Sequence, residues 1–246
     1  MAIAIITGGS RGLGRSMALH LAKSGTDVIF TYRAAKGEAD KVCAEIEKQG
    51  RKAWALQLDV AESKSFGAFV KSVEGALAGR KIDYLINNAG TSLHASIAET
   101  TEAQLDEMYN VHFKAPYLLT QKLLPLIADG GRILNVSSGL ARFSLPGSSA
   151  YAAMKGAIEV FSRYLAVELG TRKITANTIA PGAIATDFSG GMVRDNPEVN
   201  RRVSAMTALG RVGMPDDIGA AVAMMLSPGG GWMNGQRVEL SGGMGL

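Results

Sequence analysis

The stretch "AIAIITGGSRGLGRSMALHLAKSG", Ala2 to Gly25, decides how the rest of the chain is read. Its first residues, Ala2 to Thr7, form a short apolar, β-branched run with the character of a strand, and "RSMALHLAKSG" has helical spacing and stops on Gly25. Between the two lies a turn carrying Gly8, Gly12 and Gly14. Glycine lets a backbone turn tightly and approach a phosphate closely, while the following helix N-terminus offers free N–H groups and a partial positive charge. A glycine-rich turn between a first strand and a helix predicts dinucleotide binding, against the plainer alternative of a tight turn and nothing more.

The same alternation continues outward from that stretch. "DVIFTY" (Asp27 to Tyr32) is a second strand and Glu38 to Gln49 a helix; "KAWALQLDV" is a third strand, followed by a helix over Ser63 to Leu77, and "DYLINNAG" is a fourth. Two long helical stretches flank "GRILNVSS"; then come "ITANTIAPG", an irregular segment, a helix after Pro215 and a last strand "QRVEL". Strands alternating with helices predict right-handed crossovers and a doubly wound, Rossmann-type parallel sheet of about seven strands, in a single α/β domain over residues 1–246.

Composition sets the outer limits. The chain has 246 residues, 47% hydrophobic and 20% charged, enough for one large core. Its first apolar residues run quickly into glycine, so neither a signal peptide nor a membrane span is expected. The single cysteine, Cys43, excludes an intramolecular disulfide and fits a reducing compartment, the cytoplasm. A net charge of +4, with cations spread along the chain, gives no nucleic-acid footprint. His20, His94 and His112 show no ligand spacing, so packing or surface roles are expected and no metal.

In sheets of this kind ligands bind beyond the carboxyl ends of the strands, and the end of the second strand reports on the ribose. Here it reads Thr31-Tyr32-Arg33-Ala34-Ala35, without a carboxylate. Arg33, with Arg11 of the glycine turn, could hold a 2′-phosphate through charge-assisted hydrogen bonds, which favours NADPH over NADH; two solvated surface arginines are the alternative.

Taken in order, the residues resemble the short-chain dehydrogenase/reductase family over nearly the whole chain. The resemblance rests on "TGGSRGLG", "LDV" at Leu58 to Val60, "NNAG" at Asn87 to Gly90, Asn110 in "NVHF", "NVSS" ending at Ser138, Tyr151-x-x-x-Lys155, and "APGAIATDF" from Ala180. It implies a catalytic set of Asn110, Ser138, Tyr151 and Lys155. Tyr151 would protonate a substrate carbonyl and Ser138 would hold that oxygen. Lys155 would bind the nicotinamide ribose, and Asn110 would hold a relay water. Residues four apart share a helix face, so Tyr151 and Lys155 can face one ligand, and a nearby ammonium is expected to lower the phenol pKa. For the cofactor the resemblance implies Gly8, Ser10, Arg11, Gly12, Leu13, Gly14 and Arg33. It adds Asp59 and Val60 at the adenine, Asn88, Ala89 and Gly90 on the ribose side, and Pro181, Gly182, Ile184 and Thr186 at the nicotinamide end.

Residues 188–212 stand where the family has a substrate lid. Leu93, His94, Leu140, Phe143 and Met192 are the candidate pocket wall, and each could equally be core or interface packing. Within the family the chain is most similar to the 3-oxoacyl-acyl-carrier-protein reductases and related carbonyl reductases. The resemblance therefore implies NADPH-dependent reduction of a ketone, with a small carbonyl substrate or one carried on acyl carrier protein, in a homotetramer. Arg172 could serve carrier docking, but Asp129 is acidic where a cation would help; Ser241 and His112 also depart from that branch. Two alternatives stay open: an alcohol, sugar or steroid dehydrogenase working oxidatively, and a non-catalytic cofactor-binding protein.

Overall fold

The computed structural model describes residues 1–246. Seven strands, β1 (Ile3–Ile6), β2 (Asp27–Tyr32), β3 (Ala53–Gln57), β4 (Ile82–Asn87), β5 (Ile127–Val136), β6 (Thr175–Pro181) and β7 (Arg237–Leu240), form one sheet in the order β3-β2-β1-β4-β5-β6-β7. Every neighbouring pair is parallel. Successive side chains of a strand point to opposite faces, so β1 serves two cores at once. Ile3 and Ile5 join Phe66, Leu85, Leu119 and Leu165 on one face; Ala4 and Ile6 join Met17, Phe30, Ile86 and Val222 on the other. Each large side chain buried this fully contributes about 1.5–3 kcal/mol.

The first face is covered by α3 (Phe66–Leu77), α5 (Ala115–Leu123) and α6 (Ser149–Glu168), the second by α1 (Gly12–Lys23), α2 (Lys36–Lys48) and the helix that follows Pro215. Strand order reverses direction between β1 and β4, which opens a crevice at the carboxyl ends of those two strands.

Local differences from the sequence reading have local causes. The helix expected from Ser63 begins as a 3-10 turn over Ser63–Ser65 before α3, and the third strand ends at Gln57, leaving Leu58 to Val60 as loop. The long stretch before β5 consists of α4 (Glu102–Tyr109), one π-helical turn (Asn110–Lys114) and α5. Pro116 has no N–H for the His112 carbonyl one turn back, and its ring crowds that carbonyl, so the turn widens there. α4 begins in a capping box in which the Gln104 N–H donates to Thr101 Oγ1 and the Thr101 N–H to Gln104 Oε1.

Residues 188–212 include a 3-10 turn (Phe188–Gly191), α7 (Met192–Asp195) and α8 (Pro197–Ala205), the last capped by Asn196, whose Oδ1 accepts from the N–H groups of Glu198 and Val199. Ser189, Gly190 and Gly191 all have left-handed φ, a short flexible joint at the segment's start. α9 (Pro215–Leu226) completes the second face. No helix is long and apolar enough to cross a membrane.

Candidate active site

The glycine turn is held open by its own neighbours. A Cβ on Gly14 would lie 2.1 Å from the Gly8 carbonyl oxygen and 2.7 Å from Asn88 Nδ2, so no other residue fits there without displacing the turn. Asn88 Nδ2 donates to the carbonyls of Thr7 (2.9 Å) and Gly8 (3.1 Å), and Thr7 Oγ1 accepts from the N–H groups of Asn88 and Ala89. The Asn88 amide therefore latches the turn to the end of β4, a job its sequence context did not reveal. α1 starts at Gly12 with no side chain capping its first N–H groups. Those free donors, a backbone that no Cβ can crowd, and the crevice between β1 and β4 make a cradle that fits a diphosphate.

Other expected cofactor residues gather around this cradle. Ser10 is buried beneath it, Leu13 is half-buried in the first turn of α1, and Val60 and Ala89 line a small cleft with Thr7, Asn87 and Val111. Asp59 Oδ1 accepts from the Ala61 N–H at 2.9 Å, which shapes the loop after β3. Arg11 and Arg33 are exposed, and neither guanidinium enters an ion pair or a hydrogen bond; the Arg33 carbonyl accepts from Gln57 Nε2. From the far side, Pro181 closes β6, Gly182 packs on Ser241, and Ile184 bridges to Gly213. Thr186 comes within 3.7 Å of where a Gly12 Cβ would stand, so this loop reaches over the glycine turn. Gly90 abuts the His112 ring.

Tyr151 and Lys155 lie one turn apart on α6, with Lys155 Nζ 5.5 Å from the phenol ring centroid. Lys155 is only 5% exposed, and its Nζ donates to the Val136 carbonyl at 2.7 Å. Ser138 lies two residues beyond β5 and its Oγ accepts from the Leu140 N–H, which fixes the hydroxyl at the start of a 3-10 turn. Asn110 opens the π-helical turn, and that turn packs against α6. The four residues therefore come from three neighbouring elements at one end of the sheet.

The electrostatics differ from the expectation in one respect. Burial pushes the Tyr151 phenol up to about 12, only partly offset by the Ser138 hydroxyl, and burial pushes Lys155 down to about 7. The expected lowering of the phenol by the ammonium is not found: burial of the phenol sets the direction, opposed only by the Ser138 hydroxyl. A phenol held protonated is nonetheless the form a proton donor needs at the start of a carbonyl reduction.

The candidate pocket wall separates into two groups. Met192 is half exposed at the start of α7, and Leu93 and Leu140 are partly buried in the loops after β4 and β5. Phe143 packs on Gly139 with the Arg142 guanidinium over its ring, and the His94 ring lies against Gly147, so these two are engaged in loop packing. Phe188, read from sequence as the start of the lid and not as pocket wall, has its ring centroid 6.1 Å from that of Tyr151; its place two residues after Thr186 was the available signal. A cavity of about 250 Å³ lined by Ile184, Leu209, Arg211, Glu239 and Ser241 contains none of the four catalytic candidates.

A charge ladder supports the site from behind. Ser137 Oγ donates to Glu159, Arg237 donates to Glu159 (2.7 Å) and Glu239 (2.8 Å), and Arg142 grips Glu239 through two nitrogens, each at 2.8 Å. Arg237 Nη2 also reaches the Ser138 carbonyl, and Arg142 donates to the Met244 carbonyl in the C-terminal segment. Glu159 lies four residues beyond Lys155, so the shared helix face was legible, but its partners on β7 were not. Arg172 is committed: it pairs with Asp129 at 2.8 Å and donates to the carbonyls of Leu124 and Ile127.

Comparison with known proteins finds relatives over nearly the whole chain. A family model described as "Enoyl-(Acyl carrier protein) reductase" matches residues 8–245. The tetrahydroxynaphthalene reductase PfmaG of Pestalotiopsis fici is 36% identical, over 98% of this chain and 90% of its own length. Among solved structures, the promiscuous reductase LugOII, described as catalysing keto-reduction at C1 during lugdunomycin biosynthesis, superposes with a TM-score of 0.94 at 34% identity, covering 100% of this chain and 98% of its own. The angucycline C-6 ketoreductase LanV with bound NADP gives 0.94 at 33% identity, covering 99% and 95%.

Proposed function

The chain belongs to the short-chain dehydrogenase/reductase family, and on that premise we propose that it reduces a small-molecule ketone to the secondary alcohol with NADPH. The observation that carries this reading is the convergence of Ser138, Tyr151 and Lys155 beside a glycine cradle rimmed by two unpaired guanidinium groups.

Gly8 to Gly14 and the free N–H groups of α1 would hold the cofactor diphosphate, Arg11 and Arg33 its 2′-phosphate, and the loop from Pro181 to Thr186 its nicotinamide end. When bound, the cofactor supplies the hydride. The chain's own residues govern the proton and the oxygen. Ser138 Oγ donates to the carbonyl oxygen and orients it, stabilising the charge that develops there. Tyr151 Oη, kept protonated by burial, transfers its proton to that oxygen. Lys155 stabilises the phenolate left behind, and Asn110, in the widened turn, would hold a water for reprotonation. Direct evidence of chemistry would rule out the non-catalytic alternative, and the cationic ribose site favours the reductive direction over the oxidative one.

A free ketone suits the site better than a carrier-bound acyl chain, because Arg172 is already committed and the relatives named above include a tetrahydroxynaphthalene reductase and an angucycline C-6 ketoreductase. Fatty-acid synthesis is thus the less favoured pathway. We assign a homotetramer on two exposed apolar faces, one carrying Leu105, Tyr109, Tyr117, Tyr164 and Val167, the other Met224 and Trp232. A single monomeric species in sedimentation would remove that assembly. The lone cysteine supports a cytoplasmic location.

Tyr151→Phe tests the reading. Removing the general acid should lower ketone reduction by about 10²–10⁴-fold while NADPH binding stays nearly unchanged. Retention of most activity would show that another group donates the proton.

A further inference from the structure

We propose that His112 is a positioning residue for Tyr151: an uncharged imidazole that walls the Tyr151 and Lys155 pair off from water and ties it to the loop after β4. The inference rests on the reading of Tyr151 as proton donor. It concerns a residue with which neither the cradle nor the catalytic set is concerned.

His112 sits in the π-helical turn, two residues beyond Asn110, and is 2% exposed. Its ring meets the Tyr151 ring nearly perpendicularly, at 87°, with centroids 5.1 Å apart, a favoured aromatic arrangement. On its other side the ring abuts Gly90, where a Cβ would come within 2.8 Å of Cε1. Nε2 lies 2.8 Å from the Thr91 carbonyl oxygen. Only a hydrogen on Nε2 makes that approach favourable, since a bare nitrogen would face an oxygen lone pair; this sets the tautomer. Nδ1 is then a bare, buried acceptor with no partner.

An unpartnered buried acceptor is a cost to folding, so the site gains something else from an imidazole here. The groups facing it explain what. α6 presents Lys155 and Tyr151, and the loop after β4 presents only backbone at Gly90 and Thr91. Burial, reinforced by the Lys155 ammonium, holds the imidazole down to about 2, so it is neutral at every working pH. A neutral ring against the phenol excludes water without adding a charge that would repel Lys155. It therefore sustains the desolvation that raises the Tyr151 phenol, while the Thr91 bond fixes the loop carrying Leu93 and His94 relative to it.

The test compares His112→Ala, His112→Asn and His112→Phe. Tyr151 ionisation is read on the ligand-free chain from tyrosinate absorbance, as the difference between each protein and its Tyr151→Phe counterpart. The pH profile of kcat for ketone reduction is recorded beside it. Admitting water should bring Tyr151 ionisation down by about one unit in the alanine and asparagine variants, and the alkaline limb of kcat should move with it, with KM for NADPH changed less than about twofold. The phenylalanine variant, which keeps a dry ring, should retain the original ionisation. If the small variants titrate as the unmodified chain does, or if phenylalanine shifts as far as alanine, the proposal is overturned. A chain that reduces no ketone would refute the reductase reading, and the absorbance titration would still decide the role of His112. Either small variant suffices if the other does not fold.

Discussion

Replacing Glu239 by glutamine removes the one carboxylate that separates two guanidinium groups behind the catalytic serine. Glu239 is pulled from its ordinary 4.5 to about 2, first by the Arg142 hydrogen bonds, then by Arg237 and Ser241, against a smaller opposing effect of burial. A depression of that size corresponds to about 3 kcal/mol. The side chain is 20% exposed, and screening by solvent reduces the figure to about 2 kcal/mol. The sign follows from the direction. A carboxyl whose folded pKa is depressed contributes stability that is fully present above its unfolded value and is lost as pH falls through the folded value. For a chain of this length the loss corresponds to a Tm about 4–8 °C lower at pH 7. The difference between the two proteins should shrink by about half at pH 3, because the unfolded carboxyl is by then protonated. Calorimetry at both pH values measures this. A difference below about 1 °C at pH 7, or one of the same size at pH 3, would refute the reasoning that the ladder is held together by this charge.

Gly14→Ala should weaken NADPH binding by at least about tenfold, measured by fluorescence titration, because its Cβ meets the Gly8 carbonyl at 2.1 Å and the cradle must open to admit it. Arg33→Asp touches no internal ion pair, so it should leave Tm unchanged and shift the kcat/KM ratio towards NADH by tenfold or more, on the order of one lost charge-assisted hydrogen bond.

Much of this fold was readable because its signals are local. "AIAII" and "DVIFTY" are short apolar runs whose residues are buried on both faces, as parallel strands require, and Gly25 stops α1 where the pattern breaks. The catalytic candidates were readable because Tyr151 and Lys155 share a helix face and Ser138 stands just beyond a strand. What the sequence did not disclose depends on contacts between distant segments. The pairing of Glu159 with Arg237 spans 78 residues, and that of Arg142 with Glu239 spans 97. Arg172 looked available for a partner because its tie to Asp129 crosses from the turn after α6 to β5. The rise of the Tyr151 phenol on burial is likewise a property of the folded site, since spacing reveals proximity but not the loss of water.

The most direct test of the account is kcat/KM for NADPH and for NADH, side by side, with a bicyclic aromatic ketone, a simple β-keto ester and an acetoacetyl thioester as acceptors. The account predicts turnover with NADPH preferred by about tenfold or more, as unpaired Arg11 and Arg33 require, and the free ketones favoured over the thioester. Equal use of both cofactors, or tight NADPH binding without turnover of any acceptor, would contradict it.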